Sequence, residues 1–304
     1  MPVFSRSCRR DERPAGEKAR TPNVRGSFEY IRATTLEEAC QLLLEGGGSA
    51  LAYAGGTDLL VDIRNGIRSP NLLVDIKGID SLHRLEAGDD GLTIGSVTHL
   101  NRIAEHAGLR GRLPALADAA LSIATYQLRN RATIGGNLCN ASPASDSIPP
   151  LLVVGASLRI QGVDGFREVP LDCFCTGVKK TCLEPGELVS EIHVPPTPPG
   201  TRTAFLKQQR IRGHDLAVVN LAGALTPRDG LLRIAIGSCT PTPLLLDPIE
   251  TSGHSIEATA EEAVRRAAEN ISPIDDVRGS AAYRRAIVPI LVRRLVESLM
   301  RGGA

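Results

Sequence analysis

The 304-residue sequence has no long apolar run and no excess of charge of either sign. None of its apolar stretches approaches the roughly 20 residues that a membrane-spanning helix needs. Its 35 Lys and Arg residues against 34 Asp and Glu residues give a net charge of +1. This balance gives no reason to expect nucleic acid or an anionic membrane as a partner. With 42% hydrophobic residues, the composition predicts a globular protein of two or three domains without an integral membrane segment.

The first 25 residues lack the apolar core of a signal peptide or a membrane anchor. Arg9 and Arg10 resemble part of a twin-arginine signal, but the hydrophobic region that should follow is missing. We therefore expect residues 1–25 to be a disordered tail, or to precede the native start of translation. On the same grounds we expect a cytoplasmic protein.

The seven cysteines have the spacing of neither a disulfide framework nor an iron–sulfur site. Their odd number and wide scatter differ from the pattern of small secreted domains. Cys173, Cys175 and Cys182 form one cluster, for which a metal site is an alternative. Iron–sulfur clusters usually need four thiolates at spacings such as C-x2-C, and this spacing is missing. The favoured interpretation is free, mostly buried thiols in a reducing cytosol.

The two common phosphate-binding motifs, G-x-G-x-x-G and G-x-x-x-x-G-K-[ST], are also missing. Two Gly-Gly motifs occur instead, at residues 55–56 and 135–136. Glycine lets a pyrophosphate approach the backbone closely, since no Cβ blocks it and positive φ angles cost little. Neither motif contains Lys or Arg, so a phosphate there would be held by dipoles rather than by full charges. Each motif alone is equally compatible with a tight turn, and the pair by itself supports only an anion site.

Hydrophobic patterns place the first motif in a β-loop-α-β unit. The sequence predicts strands at 28–31, 51–54 and 71–76, a helix from Thr35 to Leu44, and a helix from Leu59 to Arg64. It predicts a strand leading into a helix at 91–100 and a helix at 113–124. Residues 133–146 are predicted to be a structured loop, and Asp146 or Ser147 is predicted to cap a helix that contains Pro149 and Pro150.

A proline-rich connector at 195–200 separates this region from a predicted α+β unit. That unit has paired strands at 217–225 and 231–236, and amphipathic helices at 256–270 and 283–300.

Five segments, in a consistent order, resemble the flavoprotein subunit of the xanthine dehydrogenase and carbon monoxide dehydrogenase family. They are residues 54–60 (AGGTDLL), 133–138 (TIGGNL) with Asp146, 180–189 (KTCLEPGELV), 205–220 (from FLKQ to DLAVVN) and 276–285 (DVRGSAAYRR). Chance agreement at five separated motifs is implausible.

The resemblance implies an α+β fold. A FAD-binding domain of the vanillyl-alcohol-oxidase and p-cresol-methylhydroxylase type, at residues 26–200, would have subdomains at about 26–80 and 81–200. A C-terminal domain with an antiparallel sheet and helices would follow at residues 201–304.

The resemblance also implies that both Gly-Gly motifs surround the pyrophosphate of FAD. Asp146 would accept hydrogen bonds from the FAD ribose or fix the second motif, with a plain helix cap as the alternative. Leu188 or Val189 would lie against the isoalloxazine ring, or would be core residues. Lys207 would lie near the ring, where a cation favours the reduced, anionic flavin, or would be solvated. The candidate cofactor-binding residues are Tyr53, Ala54, Gly55, Gly56, Thr57, Asp58, Leu59, Thr133, Ile134, Gly135, Gly136, Asn137, Asp146, Leu188, Val189 and Lys207.

No catalytic residue or metal ligand is predicted, because substrate chemistry and iron–sulfur clusters belong to other subunits in this family. The resemblance implies an oxidoreductase subunit, inactive on substrate alone, in a dimer of heterotrimers with a small [2Fe-2S] subunit and a large molybdopterin subunit. Electrons would leave to NAD, a quinone or oxygen. One alternative is a stand-alone FAD-dependent oxidase of a small alcohol, with His99, His193 or His214 as base. Another is a non-enzymatic nucleotide-binding module.

Overall fold

The structure, a computed structural model, describes residues 27–211 and 213–302 and contains three main β-sheets. The tail expected at residues 1–25 lies outside the described residues. Within the described ranges, every helix is too short or too polar to cross a membrane.

The first sheet is a small parallel sheet whose helices follow the predicted pattern. Its strand order is β1-β3-β2, with β3 between the other two. Thr35 caps α1 by accepting a hydrogen bond from the Glu38 backbone N–H, which is why this helix begins where the sequence predicts. The elements are β1 (Glu29–Arg32), α1 (Leu36–Glu45), β2 (Ala50–Tyr53), α2 (Leu59–Arg64) and β3 (Leu72–Asp75).

The second sheet is antiparallel, in the order β4-β5-β10-β6-β7. Its central strand, β10, follows the other four strands of this sheet in the sequence and pairs with one strand of each of the two hairpins that precede it. The strands are β4 (Leu85–Gly88), β5 (Gly91–Gly95), β6 (Ser157–Gly162), β7 (Gly165–Pro170) and β10 (Leu188–Val194), and a separate hairpin is formed by β8 (Cys175–Gly177) and β9 (Lys180–Thr181).

Seven short helices accompany the second sheet. One of them, α7, occupies the start of the predicted loop at 133–146, so that prediction was wrong there. Two glycines disfavour a helix by about 1 kcal/mol each, but the Thr133 hydroxyl accepts from Gly136 N–H and starts this one. The helices are α3 (Leu100–Glu105), α4 (Ala107–Arg112), α5 (Pro114–Ser122), α6 (Tyr126–Arg129), α7 (Ile134–Cys139), α8 (Ile148–Leu152) and α9 (Leu171–Phe174).

The third sheet forms the C-terminal part and is covered on both faces. All eight residues of its strand β12 are buried. Ala222 and Ala224 pack into the core of the second sheet, whereas Leu221 and Leu225 pack against the two C-terminal helices. The elements are β11 (Arg202–Gln208), β12 (Val219–Thr226), β13 (Leu231–Gly237), β14 (Leu244–Leu245), β15 (Ile249–Glu250), α10 (Ile256–Asn270) and α11 (Ala281–Arg301). The predicted α+β class, with an antiparallel C-terminal sheet, is confirmed.

Candidate cofactor site

A cavity of about 1280 Å³ brings the two Gly-Gly motifs together with residues of the C-terminal part. Sites for small molecules usually measure about 300–1,000 Å³, so this cavity has room for an extended dinucleotide. Tyr53 and Ile134 are the predicted site residues that do not line it. The predicted residues that do are Ala54, Gly55, Gly56, Thr57, Asp58, Leu59, Thr133, Gly135, Gly136, Asn137, Asp146, Leu188, Val189 and Lys207.

The two motifs meet through backbone contacts that only glycine allows. A Cβ on Gly55 would collide with the carbonyl oxygen of Arg131, just before the second motif. A Cβ on Gly135 would lie 2.6 Å from the Ser96 Cβ and 2.7 Å from its carbonyl oxygen. These glycines therefore draw α2, α7 and the end of β5 to one wall of the cavity.

The first motif presents unused hydrogen-bond donors to the cavity. Among the described residues, the backbone N–H groups at residues 55–58 have no protein acceptor. Gly56 has a φ of +73°, a conformation that side chains rarely adopt. Four successive free N–H groups at the cavity are a source of positive potential, which favours an anion.

Tyr53 supports this motif from behind. Its ring lies under Gly56, where a Cβ on that glycine would strike it. The Lys77 ammonium sits 3.6 Å from the ring centroid and is held by the Asp75 carboxylate at 2.5 Å. Asp75 also accepts from the Tyr30 hydroxyl, and this hydrogen bond is the main reason that the Tyr30 pKa is raised. Tyr53 is thus part of the scaffold beneath the motif.

The second motif uses its backbone donors within the protein. Ile134 N–H donates to Thr98 and Gly135 N–H donates to Ser96, both at backbone carbonyls. Ile134 itself is fully buried in the core. What the motif offers to the cavity is the exposed Gly136 and the amide of Asn137. The Asn137 Oδ1 accepts from the Ser145 and Ser147 hydroxyls, and the Asn137 Nδ2 has no acceptor among the described residues.

Ser96 is a cavity residue that the sequence did not reveal. Its side chain is 3% exposed, and its hydroxyl has no hydrogen-bond partner within the described chain. An unpaired buried hydroxyl is unfavourable by about 1–3 kcal/mol. Because Ser96 also lines the cavity beside Gly135, its hydroxyl is a candidate donor to a ligand with acceptor oxygens.

Strained backbone is concentrated around the cavity. Four non-glycine residues in the described part have positive φ angles, and three of them, Ala124, Lys179 and Ser238, line it. Such conformations are unfavourable by about 1–3 kcal/mol and persist where surrounding contacts enforce them. For Ala124 the enforcing group is the buried Arg129, which donates to the Leu121, Ile123 and Ala124 carbonyls.

Asp146 and Lys207 form a buried ion pair at the junction with the C-terminal sheet. Lys207 Nζ lies 2.7 Å from Asp146 Oδ2 and also donates to the Ser122 carbonyl. The two side chains are 6% and 7% exposed, so a solvated Lys207 is excluded. Burial raises the pKa of Asp146, and the hydrogen bonds from Lys207 and Asn220 offset only part of that rise. Ser147 occupies the N-cap position of α8, one of the two predicted possibilities, but its side chain makes no capping hydrogen bond, and Asp146 is not the cap.

Leu188 and Val189 begin strand β10 and are each 3% exposed. Leu188 belongs to the core of the first sheet and Val189 to the core of the second, and both border the cavity. They therefore form an apolar wall where the two cores meet.

The described cysteines are free thiols. Cys173 is exposed, whereas Cys175 and Cys182 pack against the core of the second sheet. Burial raises the pKa of Cys175 to about 11 and that of the cavity-lining Cys139 to about 12, so both stay protonated at neutral pH. Within the described ranges, no three His, Cys, Asp or Glu side chains are placed to hold a metal ion. Of the three candidate histidine bases, His214 lines the cavity, and His99 and His193 lie elsewhere.

Comparisons with known proteins identify related chains along nearly the whole length. A model of the FAD-binding domain in molybdopterin dehydrogenase matches residues 26–197, and a model of the CO dehydrogenase flavoprotein C-terminal domain matches residues 204–299. The carbon monoxide dehydrogenase medium chain of Hydrogenophaga pseudoflava is 33% identical, over 89% of this chain and 96% of the relative. Subunit alpha of the 6-hydroxypseudooxynicotine dehydrogenase complex of Paenarthrobacter nicotinovorans is 32% identical, over 90% and 95%.

The fold is shared with a solved structure. A chain of reconstituted CO dehydrogenase from Oligotropha carboxidovorans superposes with a TM-score of 0.85 at 30% identity, covering 90% of this chain and 98% of the other.

Proposed function

The chain belongs to the FAD-binding medium subunits of the xanthine dehydrogenase and CO dehydrogenase type of molybdenum hydroxylase, and on this premise we propose that it relays electrons from a partner iron–sulfur subunit to a terminal acceptor. It is an oxidoreductase-family flavoprotein subunit, and its cofactor is FAD. Bound FAD supplies the capacity to take up electrons singly and release them in pairs.

The proposed position of FAD rests mainly on the four free N–H groups of the first motif. A dinucleotide pyrophosphate is an anion with many acceptor oxygens, and the residues that carry these donors line a cavity of sufficient size. The orphaned Ser96 hydroxyl and the free Asn137 amide add donors on the second motif's side. We assign the pyrophosphate to the first motif's donors, and to the second motif the role of a close-fitting wall.

We assign the flavin ring to the part of the same cavity that Leu188, Val189 and Lys207 line. Leu188 and Val189 provide an apolar wall there, and Lys207 a cation. Because Asp146 neutralises much of the Lys207 charge, the field on a bound flavin depends on both members of the pair.

We also propose the domain boundaries that the sequence suggests. The two subdomains of the FAD-binding domain would meet between residues 80 and 81, and the C-terminal domain would begin at residue 201.

The partners are proposed from what the relatives are called. The names "complex subunit alpha" and "medium chain" describe proteins that assemble with other subunits. We propose a small [2Fe-2S] subunit and a large molybdopterin subunit, in a dimer of heterotrimers. NAD, a quinone or oxygen would be the acceptor, and the cytoplasm the location.

Reconstitution tests this function. The full chain, purified without partners and supplied with FAD, should retain one flavin through gel filtration and show flavin absorbance. It should be reduced by an artificial electron donor and should not oxidise xanthine, carbon monoxide or small alcohols. A chain that never retains flavin would contradict the placement of FAD.

A stand-alone oxidase of small alcohols is the second candidate, because the exposed His214 lines the cavity. Turnover of an alcohol by the isolated chain, lost in His214→Ala, would favour the oxidase over the electron-transfer subunit.

A further inference from the structure

The C-terminal sheet forms hydrogen bonds with residues 143–146, a segment that lines the cavity next to the second Gly-Gly motif. Four hydrogen bonds cross between the two parts. Lys207 Nζ donates to Asp146 Oδ2 at 2.7 Å, and Asn220 Nδ2 donates to Asp146 Oδ1 at 2.6 Å and to the Ser145 carbonyl at 3.1 Å. Ser238 N–H donates to the Pro143 carbonyl at 2.7 Å. We call these contacts the interdomain clamp.

Asn220 is the centre of the clamp. Its side chain is fully buried, and its Oδ1 packs against the Cα of Gly237 on the neighbouring strand. A Cβ on Gly237 would overlap that oxygen, although the φ of Gly237 is one that any residue adopts. The glycine thus makes room for an amide whose donors both point at the 143–146 segment.

The clamped segment is connected to the second motif by side chains. The Ser145 and Ser147 hydroxyls both donate to Asn137 Oδ1. This connection fixes the orientation of the Asn137 amide, whose free Nδ2 belongs to the proposed FAD-facing wall. Displacing residues 143–146 would therefore also release Asn137.

We propose that Asn220 is a positioning residue for FAD: through the clamp, the C-terminal domain sets the shape of the second motif's side of the cavity. The inference rests on the proposed placement of FAD in this cavity. Its consequence is that cofactor retention depends on docking of a domain whose own strands carry neither Gly-Gly motif.

A matched control is available in another buried hydrogen bond, which joins the C-terminal sheet to helix α5. The Thr203 hydroxyl of β11 accepts from Ala115 N–H of α5, and neither residue lines the cavity. Thr203→Val removes that bond at nearly constant volume. Asn220→Ala and Thr203→Val should both lower the melting temperature of the FAD-free chain.

The FAD dissociation constant of the full chain, measured from flavin fluorescence, separates the two roles. Asn220→Ala should raise it roughly ten-fold, as expected for loss of a buried hydrogen-bonding group. Thr203→Val should leave it within about two-fold. Equal weakening by both variants would mean that the effect is general destabilisation, and an unchanged constant for Asn220→Ala would overturn the clamp's role. A wild-type chain that does not bind FAD would instead remove the proposed function.

Gly237→Ala provides a second test of the clamp. Its Cβ should displace the Asn220 amide and weaken FAD binding about as much as Asn220→Ala does. The double variant Asn220→Ala with Gly237→Ala should then bind FAD little more weakly than either single variant, because the new Cβ acts mainly by overlapping the Asn220 amide and meets the Pro143 carbonyl oxygen only at 3.1 Å. Additive losses would show that Gly237 and Asn220 act separately and would contradict the clamp.

Discussion

Gly55 lies so close to Arg131 that a methyl group on Gly55 would collide with the Arg131 carbonyl oxygen. This contact joins two motifs that are far apart in the sequence. We expect Gly55→Ala to lower the free energy of unfolding by about 1–3 kcal/mol, as is typical of overpacking. Urea denaturation measures the change. Gly111→Ala, on a helix with open space around it, is the control and should be neutral or slightly stabilising.

Gly136→Val should abolish FAD retention without unfolding the protein. Gly136 is exposed to the cavity, and a Cβ there would meet only the Thr133 hydroxyl, at 2.9 Å. The branched side chain would therefore occupy the path of the ligand rather than the core. Flavin content after gel filtration measures the effect, with Gly111→Val as the control for valine in a helix. Gly56→Val should also lose FAD, but its φ of +73° adds backbone strain. Normal flavin content in Gly136→Val would contradict the placement of the second motif.

Ser96→Ala should weaken FAD binding without lowering the thermal stability of the FAD-free chain. Without a ligand, the substitution removes an unpaired buried hydroxyl, so the melting temperature of the FAD-free chain should stay constant or rise. The FAD dissociation constant should rise about 3–10-fold if the hydroxyl donates to the cofactor, since one hydrogen bond contributes about 0.5–1.5 kcal/mol. Titration and thermal unfolding of the same preparation check both. Unchanged affinity would mean that Ser96 meets no part of FAD.

Lys207→Met and Asp146→Asn should shift the midpoint potential of bound FAD in opposite directions. Loss of the cation destabilises the reduced, anionic flavin and lowers the potential. Loss of the carboxylate leaves the Lys207 charge uncompensated and raises it. Shifts on the order of 10–30 mV correspond to about 0.5–1.4 kcal/mol for a two-electron couple. A dye-coupled titration measures them, and shifts of the same sign would contradict an ion pair facing the flavin.

Asp276→Asn should destabilise the C-terminal domain in a pH-dependent way. Asp276 Oδ1 lies 2.7 Å from Nη2 of Arg284, whose side chain is fully buried. Burial raises the Asp276 pKa, but hydrogen bonds from Arg278 and Arg284 outweigh it and hold the pKa well below its ordinary range. Breaking a buried pair reduces the free energy of unfolding by about 3–5 kcal/mol.

The sign of the pH effect follows from that lowered pKa. The ionised carboxylate stabilises the fold above the unfolded-state pKa of about 3.9, and this stabilisation is lost as the pH falls towards the folded-state value. The difference between wild type and Asp276→Asn in urea denaturation should be constant from pH 6 to 8 and shrink below about pH 4. Glu297→Gln, which removes an exposed pair on α11, is the control and should have little effect.

Local signals in the sequence predicted much of the fold. The helices Leu59–Arg64 and Ile256–Asn270 were predicted to the residue, because glycines, caps and apolar periodicity mark their ends. Helix α7 was missed because its Gly-Gly pair disfavours a helix, and long-range bonds to Thr98 and Ser96 stabilise it instead.

In the site, too, local motifs could be predicted from the sequence, whereas long-range contacts could not. Fourteen of the sixteen candidate residues border one cavity, since short motifs place them there. Ser96 carries no local signal, and its importance arises only from the approach of Gly135. Asp146 looked like a helix cap because the sequence cannot show that Lys207 and Asn220 occupy its oxygens.

The central position of β10 has a consequence for biosynthesis. During translation, the β4–β5 and β6–β7 hairpins emerge from the ribosome before the strand that joins them does. Each hairpin then exposes an unpaired edge, which is where chains associate wrongly. The same strand also begins with Leu188 and Val189 at the cavity wall. Completion of the sheet and of that wall therefore happen together, so a nascent chain cannot hold its flavin tightly before residue 194 has emerged from the ribosome.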